Sequence, residues 1–152
     1  MQPLPHHYSV TALARTSADD VTLETECVES LRSNTPLEFG GPGDRWSPET
    51  LLVAAVADCF VLTFRGIARA SGLPWTSLTC DVVGALDRVD GVTQFTGFDV
   101  DARLQLPSGT SEALAHRLLI KAEDRCLIAR SLKAATTLRV SIEAVSPMAV
   151  VS

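Results

Sequence analysis

The chain has 152 residues, 46% of them hydrophobic and 20% charged, the balance of a folded globular protein forming one domain, 1–152, not of a disordered chain. Its formal net charge of −5 is the wrong sign for holding a phosphate backbone, so no nucleic acid partner is expected. The longest apolar stretch, Leu51 to Phe64, is interrupted by Asp58 and followed by Arg65 and Arg69, and MQPLPHHYSV lacks the basic-then-apolar pattern of a signal peptide, so the expectation is a cytoplasmic protein with no membrane partner.

Apolar residues alternate from Tyr8 to Ala14 and again through VTLETEC at 21–27, with the turn-forming TSADD between them, which predicts an opening β-hairpin. SNTPLEFGGPGDRW concentrates Asn, Pro and Gly and reads as a loop carrying a short strand at Leu37 to Phe39. Ser47-Pro48-Glu49 then starts a helix: a hydroxyl to cap it, a proline where no N–H is needed, and an acid where the helix dipole favours one. Leu52, Val53, Val56, Cys59, Phe60, Thr63, Phe64 and Ile67 follow at helical spacing until Gly72 and Pro74 end it. The first half of this helix is apolar nearly all round, which predicts a central, buried position.

TSLTCDVVGALDRV and TQFTGFDVDARLQL alternate as strands about Asp90-Gly91, a two-residue hairpin turn. SGTSEALAHRLLIKAEDRC predicts a second helix, LIARSLKAA a short third one, and TTLRVSIEAV a closing β-branched strand. Strands, long helix, strands, helices, strand is the order of an α+β fold with an antiparallel sheet.

The four cysteines, Cys27, Cys59, Cys80 and Cys126, form no C-x-x-C and no Cys/His cluster, which argues against zinc, and a reducing compartment argues against permanent disulfides. Packing and thiol chemistry remain. On residue type alone Cys59 reads as core, and Cys27 and Cys80, placed on strands, more so. Cys126 differs: it falls between two helices, where free N–H groups of the next helix would lower a thiol pKa. Glu49 reads by default as a first-turn acid, and Arg15 and Arg45 as solvated.

GGPGDRWSPETLLVAAVADCF together with KAEDRCLIARSLKA resembles the OsmC/Ohr family of thiol-dependent peroxidases, and the WSPE variant is closer to the OsmC-like branch. The family has a Gly-rich loop, a Pro-Glu helix start, a cysteine ten residues after the glutamate, and a second cysteine opening a later helix. Glu49, Cys59 and Cys126 match those positions. The resemblance implies an intertwined homodimer in which antiparallel sheets wrap long central helices, with active sites at the interface. It further implies that Cys59 attacks a hydroperoxide, organic hydroperoxides before hydrogen peroxide, and that Cys126 resolves the product as a disulfide for an external dithiol or lipoyl-type reductant. No bound cofactor is expected, since no nucleotide, flavin or haem motif is visible.

In the family an arginine, oriented by the glutamate, stabilises the thiolate. It comes from the first hairpin turn or from just before the Gly-rich loop; here those segments are TSADD and TPLEF, and Arg15 and Arg45 are the nearest substitutes. Leu127 and Ala129 replace the usual proline and small hydroxyl residue, and Asp58 precedes the first cysteine. Ten helical residues separate Glu49 and Cys59 by about 15 Å, too far for a hydrogen bond. Either Glu49 is irrelevant to that thiol or it meets the partner subunit's Cys59 across a two-fold axis. The alternative function is the same dimer acting as a small-ligand-binding or redox-sensing protein.

Overall fold

A computed structural model describes residues 2–145 and shows a mixed α+β architecture whose internal contacts fall into two compact units, dividing between Leu52 and Val53. In the first unit, β1 (Thr11–Leu13), β2 (Val21–Glu24) and β3 (Leu31–Ser33) form an antiparallel sheet in that order. The expected hairpin is present, with Ala12 opposite Leu23. Two local expectations fail. Cys27 is not on a strand but in an exposed turn with φ 62°. Leu37–Phe39 is a 3-10 turn instead of a strand, because Pro36 opens it, Gly40 closes it at φ 83°, and the amides of Phe39 and Gly40 bond back to Pro36 and Leu37. Gly41 follows so closely that a Cβ there would lie 1.6 Å from the Thr35 carbonyl oxygen.

The long helix α1 runs Pro48–Ser71. Its start is closed reciprocally: the Ser47 Oγ accepts from the Thr50 amide at 3.2 Å, and the Thr50 Oγ1 accepts from the Ser47 amide at 2.9 Å. Its end carries Gly72 at φ 64°, with the amides of Gly72 and Leu73 bonding to the carbonyls of Arg69 and Ala68, which satisfies the last turn as the sequence predicted. Burial is less complete than expected. Only the stripe Val56, Phe60, Phe64 and Ala68 is buried, while Leu62 is 52% exposed, because the described residues of one chain cover a single side of the helix. By length and a mean hydropathy of 1.9, α1 also meets the measure of a membrane-crossing helix, which the count of uninterrupted apolar residues had not allowed for; core helices of soluble proteins meet it too.

In the second unit, β4 (Ser77–Val89) and β5 (Val92–Pro107) form a long antiparallel hairpin with a bulge between Ala85 and Leu86. Asp90 and Gly91 both have positive φ, 50° and 79°, the backbone of the expected two-residue turn. Alternate residues of β5, Phe98, Val100, Ala102, Leu104 and Leu106, are buried. Of these, Ala102, Leu104 and Leu106 meet Phe60 and Phe64 of α1 and Leu118 and Leu119 of α2 (Glu112–Asp124) in one core. The short helix α3 (Leu127–Ser131) leads into β6 (Ala135–Val145), which pairs with β5 in parallel from Gly97↔Ala135 to Pro107↔Val145. The sheet is therefore mixed, not antiparallel as expected. Two helices between β5 and β6 form a crossover that returns the chain to its starting end, and a returned strand runs parallel to its neighbour.

Candidate functional site

Cys59 sits half-buried midway along α1, and Cys126 sits in the gap between α2 and α3, 2% exposed. The fold of the second unit brings their side chains close enough for Cys59 to act on the ionisation of Cys126, although the sequence holds them far apart. Both are free thiols. Thr63, one turn beyond Cys59, places its Oγ1 4.0 Å from the Cys59 Sγ. Nothing in the sequence singled out Thr63 except its i+4 interval, which puts the two side chains on one helix face.

The surroundings of Cys126 reverse one expectation. The amides of Ala129 and Ile128 face its sulfur and favour the thiolate, yet without a capping hydrogen bond from the side chain. Burial is the larger effect and pushes the thiol above its ordinary range, and the contact with Cys59 adds to it. Cys126 is therefore held as a thiol that can donate to Cys59. Cys80, on the core-facing side of β4, is pushed up to about 11, first by burial, then by the charge of Asp81 and by Cys126.

The other anticipated residues lie in the first unit or at its helix start. Glu49 is in the first turn of α1, but the cap is made by Ser47 and Thr50. Its Oε2 is buried with no hydrogen-bond partner among the described residues. Glu49 borders a cavity of about 680 Å³ lined also by Val21, Leu23, Ser33, Phe39 and Leu51. Such an oxygen needs a cation, a donor or a proton. Arg45 does not supply it: its Nε donates to Asp20 Oδ2 at 2.9 Å and its Nη1 pairs with Asp44 Oδ2 at 3.0 Å. Asn34 and Arg45 together hold the Asp20 carboxyl below its usual range, and the Asp20 bond raises Arg45 further. Arg15 is exposed, and its carbonyl accepts from the Ala18 amide in the turn between β1 and β2. Neither arginine forms an ion pair with Glu49 among the described residues.

Residues 41–141 match the family model described as OsmC-like protein. The Bacillus subtilis (strain 168) protein YmaD, itself uncharacterized, is 29% identical over 133 residues, covering 84% of this chain and 87% of that one. The structure is similar to that of an OsmC-like protein of unknown function from Vibrio cholerae, with TM-score 0.81, 20% identity, and coverage of 90% of this chain and all of the other. It is also similar to an organic hydroperoxide resistance protein OsmC from Legionella pneumophila, with TM-score 0.69, 22% identity, and coverage of 93% and 100%. An organic hydroperoxide resistance protein from Elizabethkingia anophelis gives TM-score 0.71 at 16% identity, with coverage of 93% and 100%. At these identities the structural likeness speaks for the fold.

Proposed function

Because the chain belongs to the OsmC/Ohr family, we propose that it is a thiol-dependent peroxidase that reduces organic hydroperoxides, and hydrogen peroxide less well, through Cys59 and Cys126. The observation that carries this reading is the approach of those two free thiols, one half-buried and one buried, within the second unit. The Cys59 thiolate attacks one peroxide oxygen, the O–O bond breaks, and the displaced alkoxide takes a proton and leaves as the alcohol. Cys59 is then a sulfenic acid. The Cys126 sulfur attacks it, water leaves, and the resulting disulfide is reduced by an external dithiol, of simple or lipoyl type. Cys126 suits the second step because burial keeps it protonated, so it does not compete for the first.

The functional unit is an intertwined homodimer with its sites at the interface, acting in the cytoplasm without a bound cofactor, nucleic acid or membrane. Two features support the dimer: the incompletely covered apolar surface of α1 and the unpartnered Glu49 oxygen. A partner chain would cover the first, and a guanidinium would satisfy the second. Arg15 is the freer candidate by its ion pairs, since Arg45 is already held by Asp20 and Asp44. The orphan oxygen beside an apolar-lined cavity also favours a second reading, a dimer that binds a small cationic or donor-bearing ligand.

The test is one equivalent of cumene hydroperoxide added to the fully reduced protein, followed by thiol counting and mass analysis of the cysteine pairs. Loss of two thiols per chain with a Cys59–Cys126 disulfide is the expected result. Cys59→Ser is expected to abolish the reaction, and Cys126→Ser to permit one reduction and stop at the Cys59 sulfenic acid, which a second equivalent of hydroperoxide would carry on to the sulfinic acid. Unreactive thiols in the wild type would leave the binding reading in its place.

A further inference from the structure

A threonine within a helix ordinarily turns its hydroxyl back to the carbonyl four residues earlier, as Ser131 does with Leu127 at 2.8 Å in α3. Thr63 instead faces the side chain of residue 59, with Oγ1 4.0 Å from Sγ. That placement puts the Thr63 hydroxyl where it can share a hydrogen bond with the sulfur. In the neutral pair either group can donate; once Cys59 ionises, only the hydroxyl can, and a hydrogen bond to an ion is the stronger kind.

We propose that the Thr63 hydroxyl donates a hydrogen bond to the Cys59 thiolate, stabilising the reactive anion from within its own helix. The bond forms without covalent change, and the hydroxyl proton stays on Thr63. The inference rests on reading Cys59 as the reacting sulfur. The Cys126 thiol, which also interacts with Cys59, is a second neutral group of the same unit able to donate to the anion. The titratable groups that bear on this pair are Cys126 at the α2–α3 junction, which interacts with Cys59, and Asp58, the exposed neighbour of Cys59 on α1; one step further out, Cys80 on β4 interacts with Cys126 and is itself faced by Asp81 and Asp101. None of the carboxylates can donate when ionised.

The experiment is alkylation of the fully reduced full-length protein by iodoacetamide between pH 6 and 10, with the rate at Cys59 read by peptide mass. Thr63→Val keeps the shape and removes the hydroxyl; Thr63→Ser keeps the hydroxyl. The valine variant is expected to move the Cys59 profile up by about one pH unit, about a tenfold loss of thiolate at a pH below the midpoint. The serine variant is expected to retain the wild-type profile. Should the valine chain fail to fold, Thr63→Ala carries the same expectation. A wild-type profile in the valine or alanine variant, or an equal shift in the serine variant, overturns the assignment. Alkylation is read without peroxide, so a chain that reduces no hydroperoxide can still pass this test, and a working peroxidase can fail it.

Discussion

Cys80 and Cys126 are kept neutral by the same cause, removal of the sulfur from water, and that cause leaves a mark on stability. A thiol whose folded pKa lies above its unfolded value contributes nothing adverse while both states are protonated; as pH rises, the unfolded chain ionises first and gains. For Cys80 the window lies between 9.0 and about 11. The expected outcome is that the stability margin of the wild type over Cys80→Ala, from urea denaturation, is larger at pH 8 than at pH 11. An unchanged margin would mean that Cys80 is hydrated. The sequence assigned Cys80 to packing and set Cys126 apart by its place between two helices, and the resemblance paired Cys59 with Cys126. It could not weigh burial against the amides at the start of α3, because desolvation depends on which distant elements cover a sulfur. Arg45 shows the same limit. Its capture by Asp20, 25 residues earlier in the chain, has no local signature.

Elements that follow local chemistry were legible, and those that follow the path of the chain were not. Ser47, Pro48 and Gly72 mark α1 with short-range bonds alone, and Asp90-Gly91 marks the hairpin because few residues tolerate two successive positive φ angles. Gly91 at φ 79° is accordingly a position where a side chain costs backbone strain and meets nothing else within 4 Å. Gly91→Ala is expected to lower stability by about 1 kcal/mol with little change in the alkylation of Cys59. Urea denaturation measures the first and iodoacetamide the second, and a neutral substitution would mean that the turn relaxes. The direction of β6 was missed because a strand's own alternation is the same in parallel and antiparallel pairing; the crossover through α2 and α3 decides it. The turn at Leu37–Phe39 was missed because three apolar and acidic residues carry no period, whereas Pro36 and Gly40 on either side control the backbone.

For the whole molecule the open question is what covers α1. Leu62 stands 52% exposed in a helix otherwise composed for a core. In the proposed dimer the two-fold axis uses each such residue twice, so a change is felt in both chains. Burying one leucine side chain contributes about 2 kcal/mol. Leu62→Glu is expected to shift the protein toward monomer in sedimentation at micromolar concentration, at a cost of at least about 4 kcal/mol for the pair. A wild-type monomer would overturn the dimer, and a Leu62→Glu dimer of unchanged affinity would send the interface elsewhere.

The parallel pairing of β6 with β5 also sets an order in time. As the chain leaves the ribosome, β4 and β5 can close about their two-residue turn at once, but one edge of β5 must wait until α2, α3 and β6 have all been made. During that interval the strand offers unpaired amides and carbonyls beside Val100, Ala102, Leu104 and Leu106, an adhesive edge. Nascent chains therefore pass through a stage in which holdase chaperones have something to grip, and slow translation between Pro107 and Ala135 would prolong it.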